Sequence, residues 1–174
     1  MKNRDEEEHM AELTTLESKL GEVLGLAMAA QDATRKVKKL AQDEGNDELA
    51  QRLERVHDEA AETEQRCIEV AEDLDGKKTA VLEKARETKH EAAQMMSTYL
   101  GDDADALDGF EFLTMAEAGE VGHWAIVGVL SRRAGNQKLL RLVEWAKPIQ
   151  ERHLRQAMEG SLKLAGDQNP HGAE

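Results

Sequence analysis

Two glutamates one helical turn apart, Glu117 and Glu120, fall between Leu113 and Trp124 in an otherwise apolar segment. A carboxylate on a buried face has to be neutralised, paired or bound to a cation, because an unpaired charge is too costly in a low-dielectric interior. Two on one face sharpen the point, since they repel each other unless a cation lies between them. Further polar groups sit on or beside inward faces: His153, in the stripe between Ile149 and Ala157 with Gln150 one turn before it; Glu59 and Glu62, beside Ala60 and Thr63; and Gln31 and Asp32, beside Ala30 and Thr34. Two Glu-x-x-His runs, Glu54–His57 and Glu120–His123, place both side chains on one helix face, where a pair can reach the same ion. Such runs arise readily by chance in an acidic helical chain, and Glu54/His57 reads as a solvated face. For Glu120/His123 the solvated and metal-binding readings both stand. His153 alone reads first as a hydrogen-bonded core histidine, and Cys67, on a seam, as packing. No Gly-rich phosphate loop, His-Glu-x-x-His pair or nucleophile elbow is present.

Helices have to position these groups. Leu13, Leu16, Leu20, Val23, Ala27, Ala30, Thr34, Val37 and Ala41 recur at steps of three and four, the rhythm of a bundle seam. Glu44-Gly45-Asn46-Asp47 breaks it, and Leu49, Leu53, Val56, Ala60, Thr63, Cys67, Val70 and Leu74 resume it. A link that short predicts an antiparallel hairpin. A third helix over about 79–100 carries only a thin apolar stripe and is expected to lie across the bundle. A fourth, over about 106–134, holds the Glu117/Glu120 pair. After Gly135-Asn136 a fifth runs through Leu139, Leu142, Val143, Ala146, Ile149 and His153 to Leu164, and Pro148 should kink it and free a carbonyl near residue 144.

Composition sets the outer limits. With 174 residues, the whole of 1–174 reads as a single domain, with 1–8 and 166–174 as flexible ends. Aromatics are only 3%, so the core has to be built from Leu, Val, Ala and Met, which suits helix-on-helix packing. A formal charge of -13 repels phosphate backbones and anionic lipid, which argues against nucleic-acid and membrane-surface partners. Cys67 is the only cysteine, so no intrachain disulfide can form. With neither a signal-like apolar run nor a stretch of ~20 apolar residues, this predicts a cytoplasmic protein without a membrane span.

Over about 47–165 the chain resembles the YciE/YciF-like branch of ferritin-like bacterial stress proteins. The stretches that carry the resemblance are Glu48-Leu-Ala-Gln-Arg-Leu53, Glu62-Thr-Glu-Gln65, Glu117-Ala-Gly-Glu120, Gly135 and Gln150-Glu-Arg-His153. It implies an all-α, ferritin-like four-helix bundle with an additional shorter helix between two long hairpins. It also implies a homodimer, a carboxylate-rich metal site for iron or manganese, and a stress-related role. Glu62, Glu117 and Glu120 fall where the family has metal-binding carboxylates, with Asp32, Glu59 and His153 as further candidate donors. Gln31 and Gln150 stand at or near positions where the family has a ligand Glu. An amide is a poorer ligand for iron than a carboxylate, so one metal ion or none are both open outcomes.

Three functional classes follow. One is a metal-binding stress protein reacting, if redox-active, with oxygen or peroxide. Another is a metal-free bundle acting as an oligomeric scaffold or interaction module, its inward glutamates protonated or paired with Arg52, Arg66 or Arg141. The third is a coiled-coil partner of a larger assembly, resting on the long seams of the first two helices.

Overall fold

The structure, a computed structural model, describes residues 11–172; the flexible end expected at 1–8 and the last two residues of the one expected at 166–174 lie outside them. Five helices account for the fold, in the order α1 (Thr15–Asp43), α2 (Asp47–Glu72), α3 (Lys78–Tyr99), α4 (Ala106–Arg133) and α5 (Gln137–Asp167), with no strand among the described residues. Thr14 and Asp105 open α1 and α4 with reciprocal caps, the Thr14 hydroxyl accepting from the Glu17 amide and the Glu17 carboxylate from the Thr14 amide. Each such cap satisfies amides that the helix itself leaves unpaired.

The α1–α2 and α4–α5 turns are built alike. Gly45 and Gly135 take φ 76° and 66°, a left-handed conformation that L side chains avoid. In both turns the next residue, Asn46 or Asn136, donates its amide to a carbonyl of the finished helix, Ala41 or Ser131. Each hairpin is therefore antiparallel, as its short link predicts.

α3 does not lie across the bundle. It runs alongside α1 in the same direction, tied by Lys77 to Glu17 (2.8 Å) at the start, Lys89 to Asp32 (3.0 Å) midway, and Lys36 to the Leu100 carbonyl (2.7 Å) at the end. The reason lies on α1. A Cβ added at Gly25 would stand 2.4 Å from the Ala85 carbonyl oxygen, and one at Gly21 2.8 Å from the Lys84 Cβ. Two glycines one turn apart bring the backbones close enough for Ala80, Val81, Ala85 and Thr88 to be buried. α5 continues unbroken through Pro148 and past Gly166, so the tail begins later than its composition implies.

Side chains of α1, α2, α4 and α5 fill the bundle in two apolar clusters. One is built around Leu20, Leu24, Cys67, Trp124 and Leu139, the other around Val37, Leu49, Leu53, Phe110 and Leu113. Each Leu, Val or Phe buried this way contributes about 1.5–3 kcal/mol relative to exposure. Between the clusters α2 buries Thr63, α4 buries Glu117 and Glu120, and α5 buries Gln150 and His153, while α1 buries Thr34 at the edge of the second cluster. No described helix is long and apolar enough to cross a membrane.

Candidate functional site

This polar belt is the candidate site. Leu113, Glu117, Glu120, Trp124 and Val127 share the inward stripe of α4, and Glu117 and Glu120 are only 2% and 5% exposed. Gln150 on α5 donates its side-chain amide to Glu117 Oε2, and His153 Nδ1 lies 3.8 Å from the same oxygen. The other ring nitrogen, Nε2, is 2.6 Å from Glu59 Oε2 on α2, and Arg152 donates to Glu59 Oε1 at 2.8 Å. A carboxylate only accepts, so His153 carries its proton on Nε2 and turns Nδ1 toward Glu117. The result is a polar chain from the dry centre to the surface, through Gln150, Glu117, His153, Glu59 and Arg152. On the opposite side of the core, Gln31 Nε2 donates to Glu64 Oε2 at 2.5 Å, linking α1 to α2. Thr34 and Thr63 are satisfied locally by carbonyls one turn back.

Burial and mutual repulsion act together on the acidic pair. Burial first, and then the neighbouring Glu120, push the Glu117 carboxyl well above the ordinary carboxylate range, against the hydrogen bond from Gln150. Burial raises Glu120 as well. Burial lowers His153, with the Glu59 carboxylate opposing it, while Glu59 is held low because His153 and Arg152 outweigh its partial burial. Burial, then Glu64 and Glu120, raise the Cys67 thiol, so it stays protonated and inert as a packing residue.

The sequence-derived candidates separate accordingly. Glu117, Glu120, His153 and Glu59 are brought together. Glu62 is not: it is exposed and bound by Arg66 at 2.8 Å, while that guanidinium lies 4.1 Å above the Trp145 ring. Asp32 is half-buried on the side of α1 that faces α3, held by Arg35 and Lys89. Glu54 and His57 lie on the outside of α2, as the solvated-face reading has it, with Glu54 on Lys38 and His57 beside Arg35 and Asp58. Of the second Glu-x-x-His run only Glu120 is inside, while His123 stays near the surface and bonds to the Gly119 carbonyl. Arg152 and Glu64, which complete the two polar links, were not singled out by the sequence reading; Arg152 lies one residue before the inward His153. None of Arg52, Arg66 and Arg141 reaches the buried pair.

The chain matches no model of a known protein family, no curated protein and no solved structure.

The belt fits a dinuclear metal centre poorly. Among the described residues no three or more His, Cys, Asp or Glu side chains converge so as to hold an ion. Of the carboxylates the resemblance implies, Glu62 faces outward and Asp32 is neutralised by Arg35 and Lys89, and both belt amides are spent on carboxylates of their own hairpin. What the belt can do is hold a proton on the Glu117/Glu120 pair and keep its remaining charges matched.

Proposed function

We propose that the protein is a ferritin-like bundle with a closed interior site, acting as a homodimeric scaffold or interaction module. The observation that carries this is the outer face of α4. Between Phe112 and Ser131 the acidic residues are Glu117 and Glu120, both pointing inward, and the one basic residue is His123, bonded to the Gly119 carbonyl. Met115, Ala118, Gly119, Gly122, Ile126 and Val129 face outward at helical spacing, and Ile126 and Val129 are 44% and 50% exposed. In a chain that is 34% charged, an uncharged apolar face about 27 Å long, at 1.5 Å per residue, is a surface meant to be covered. A second copy fits it. At -13 per chain two copies repel wherever their charged surfaces meet, and this outward stretch, free of Asp, Glu, Lys and Arg, lets them approach, its small residues permitting close contact.

Closure of the interior supports the same reading. Each hairpin is bridged by one amide–carboxylate pair whose members are 33 residues apart, Gln31–Glu64 and Glu117–Gln150. A second reading, one iron or manganese ion on Glu117, Glu120 and His153, draws on the Glu120 carboxyl, which has no partner among the described residues. It would use the His153 Nδ1 that faces Glu117, with Glu59 holding Nε2–H from behind, and it would compete with the Gln150 bond to Glu117.

Sedimentation velocity and elemental analysis of protein purified without chelator test both readings. We expect a dimer that Ile126→Lys with Val129→Lys turns into a helical monomer, and metal far below one equivalent. A monomer at all concentrations overturns the interaction reading. A full equivalent of metal that is lost in Glu120→Ala overturns the closed site.

A further inference from the structure

α3 follows α1 closely but stands away from α4, and the gap is a cleft of about 190 Å³ between the three helices. Ala29, Ala30 and Ala33 of α1 form its floor, with Ala92 and Met96 of α3 and Ala116 of α4 among its walls. The charged or titratable groups lining it are Glu117, Glu120, Asp32, Lys89 and His123. Lys89 is spent on Asp32 (3.0 Å), His123 on the Gly119 carbonyl (2.9 Å), and Glu117 on Gln150. Glu120 is different. It is 95% buried, it lines the cleft, and no hydrogen bond or ion pair from any described residue reaches it.

We propose that this cleft is a binding site for an amphiphilic primary ammonium, its alkyl chain lying among the alanines and methionines and its head group on Glu120. The inference rests on the metal-free reading of the interior given above. An ammonium brings up to three N–H donors and a positive charge to a carboxyl that lacks both, and a charge-assisted bond of this kind is about twice as strong as a neutral one. An anionic head group brings no N–H donor and, once Glu120 has lost its proton above about pH 8, meets a carboxylate with no free cation to offset it. A neutral alcohol gains the apolar contacts but not the charge.

Octylammonium, octanol and octanoate are the probes, titrated calorimetrically into the intact protein above pH 8, where Glu120 has given up its proton and the amine still carries its charge. Octylammonium binds with one site per chain, about tenfold tighter than octanol, and octanoate does not bind. Glu120→Gln reduces octylammonium to the affinity of octanol, whereas Ala92→Phe, which fills the cleft from α3, removes binding of both. An acidic surface could attract ammonium without any site, but that background survives the loss of one carboxyl among 36 acidic residues. Equal octylammonium binding by wild type and Glu120→Gln, or unchanged binding by Ala92→Phe, overturns the proposal; circular dichroism establishes that each variant is folded. Absent binding with no metal present sinks this inference alone. Manganese bound at one equivalent that displaces octylammonium would take the closed-interior reading down with it.

Discussion

At Glu120 the folded chain holds a proton that the unfolded chain releases. The ordinary carboxyl value of 4.5 is raised to about 8 by burial, and Glu117 shifts in the same direction. As pH rises from 4.5 toward 8 the unfolded state loses a proton that native Glu120 keeps, so this group makes stability fall across that window by up to about 1.4 kcal/mol per pH unit, and Glu117 acts in the same direction. His153 and Glu59 work the other way. Both are lowered in the folded state, so their contribution is present at neutral pH and is lost on acidification, below the ordinary 6.5 for His153 and 4.5 for Glu59. The difference between Glu120→Gln and wild type isolates the carboxyl. Urea midpoints at pH 5, 6.5 and 8 should show the variant gaining on wild type as pH rises, and a pH-independent difference would mean that Glu120 is ionised in the native protein. Residue identity was only partly readable from the chain. Glu117 and Glu120 were visible because apolar residues flank them on one stripe. Glu62 misled because three residues turn a helix by about 300°, which carries it some 60° further from the seam than Glu59, onto the solvent side. The Gln150 bond to Glu117 and the Arg152 bond to Glu59 join different helices, and spacing along one helix says nothing of either.

Helix identity was legible almost to the residue, because steps of three and four and the Gly-Asn breaks are local signals. Helix placement was legible only where a short turn dictates it. The direction of α3 depends on Gly21 and Gly25 of another helix, so its own weak stripe could not reveal it. Matched glycine substitutions test that dependence. Gly25→Ala should destabilise by about 1–3 kcal/mol, since the new methyl meets the Ala85 backbone oxygen, which cannot rotate away. Gly160→Ala should do the same, its Cβ falling on the Phe110 ring. Gly166→Ala, where a Cβ meets nothing within 4 Å, should be neutral or gain up to about 1 kcal/mol from helix propensity. Thermal melts of the three variants decide it: if Gly25→Ala melts no lower than Gly166→Ala, the close α1–α3 contact is not what holds α3 in place.

For the molecule as a whole, charge and apolar area pull in opposite directions. Thirty-six acidic residues against 23 basic ones keep copies apart, while the uncharged face of α4 favours bringing two of them together. Which effect wins depends on ionic strength, because screening shortens the reach of the repulsion to about 10 Å at 0.1 M salt and leaves the apolar contact in place. The proposed dimer should therefore tighten as salt rises, on the order of tenfold between about 0.02 and 0.3 M sodium chloride. Magnesium chloride at matched ionic strength should do no more than sodium chloride, since general screening needs no bound ion. Sedimentation equilibrium across a salt series reads this directly. A dimer that weakens with salt would have to be held by ion pairs among the charged helices, and one that responds to magnesium beyond its ionic strength would have to be bridged by carboxylates. Either result would move the contact away from α4, whose outer face has no charge with which to make it.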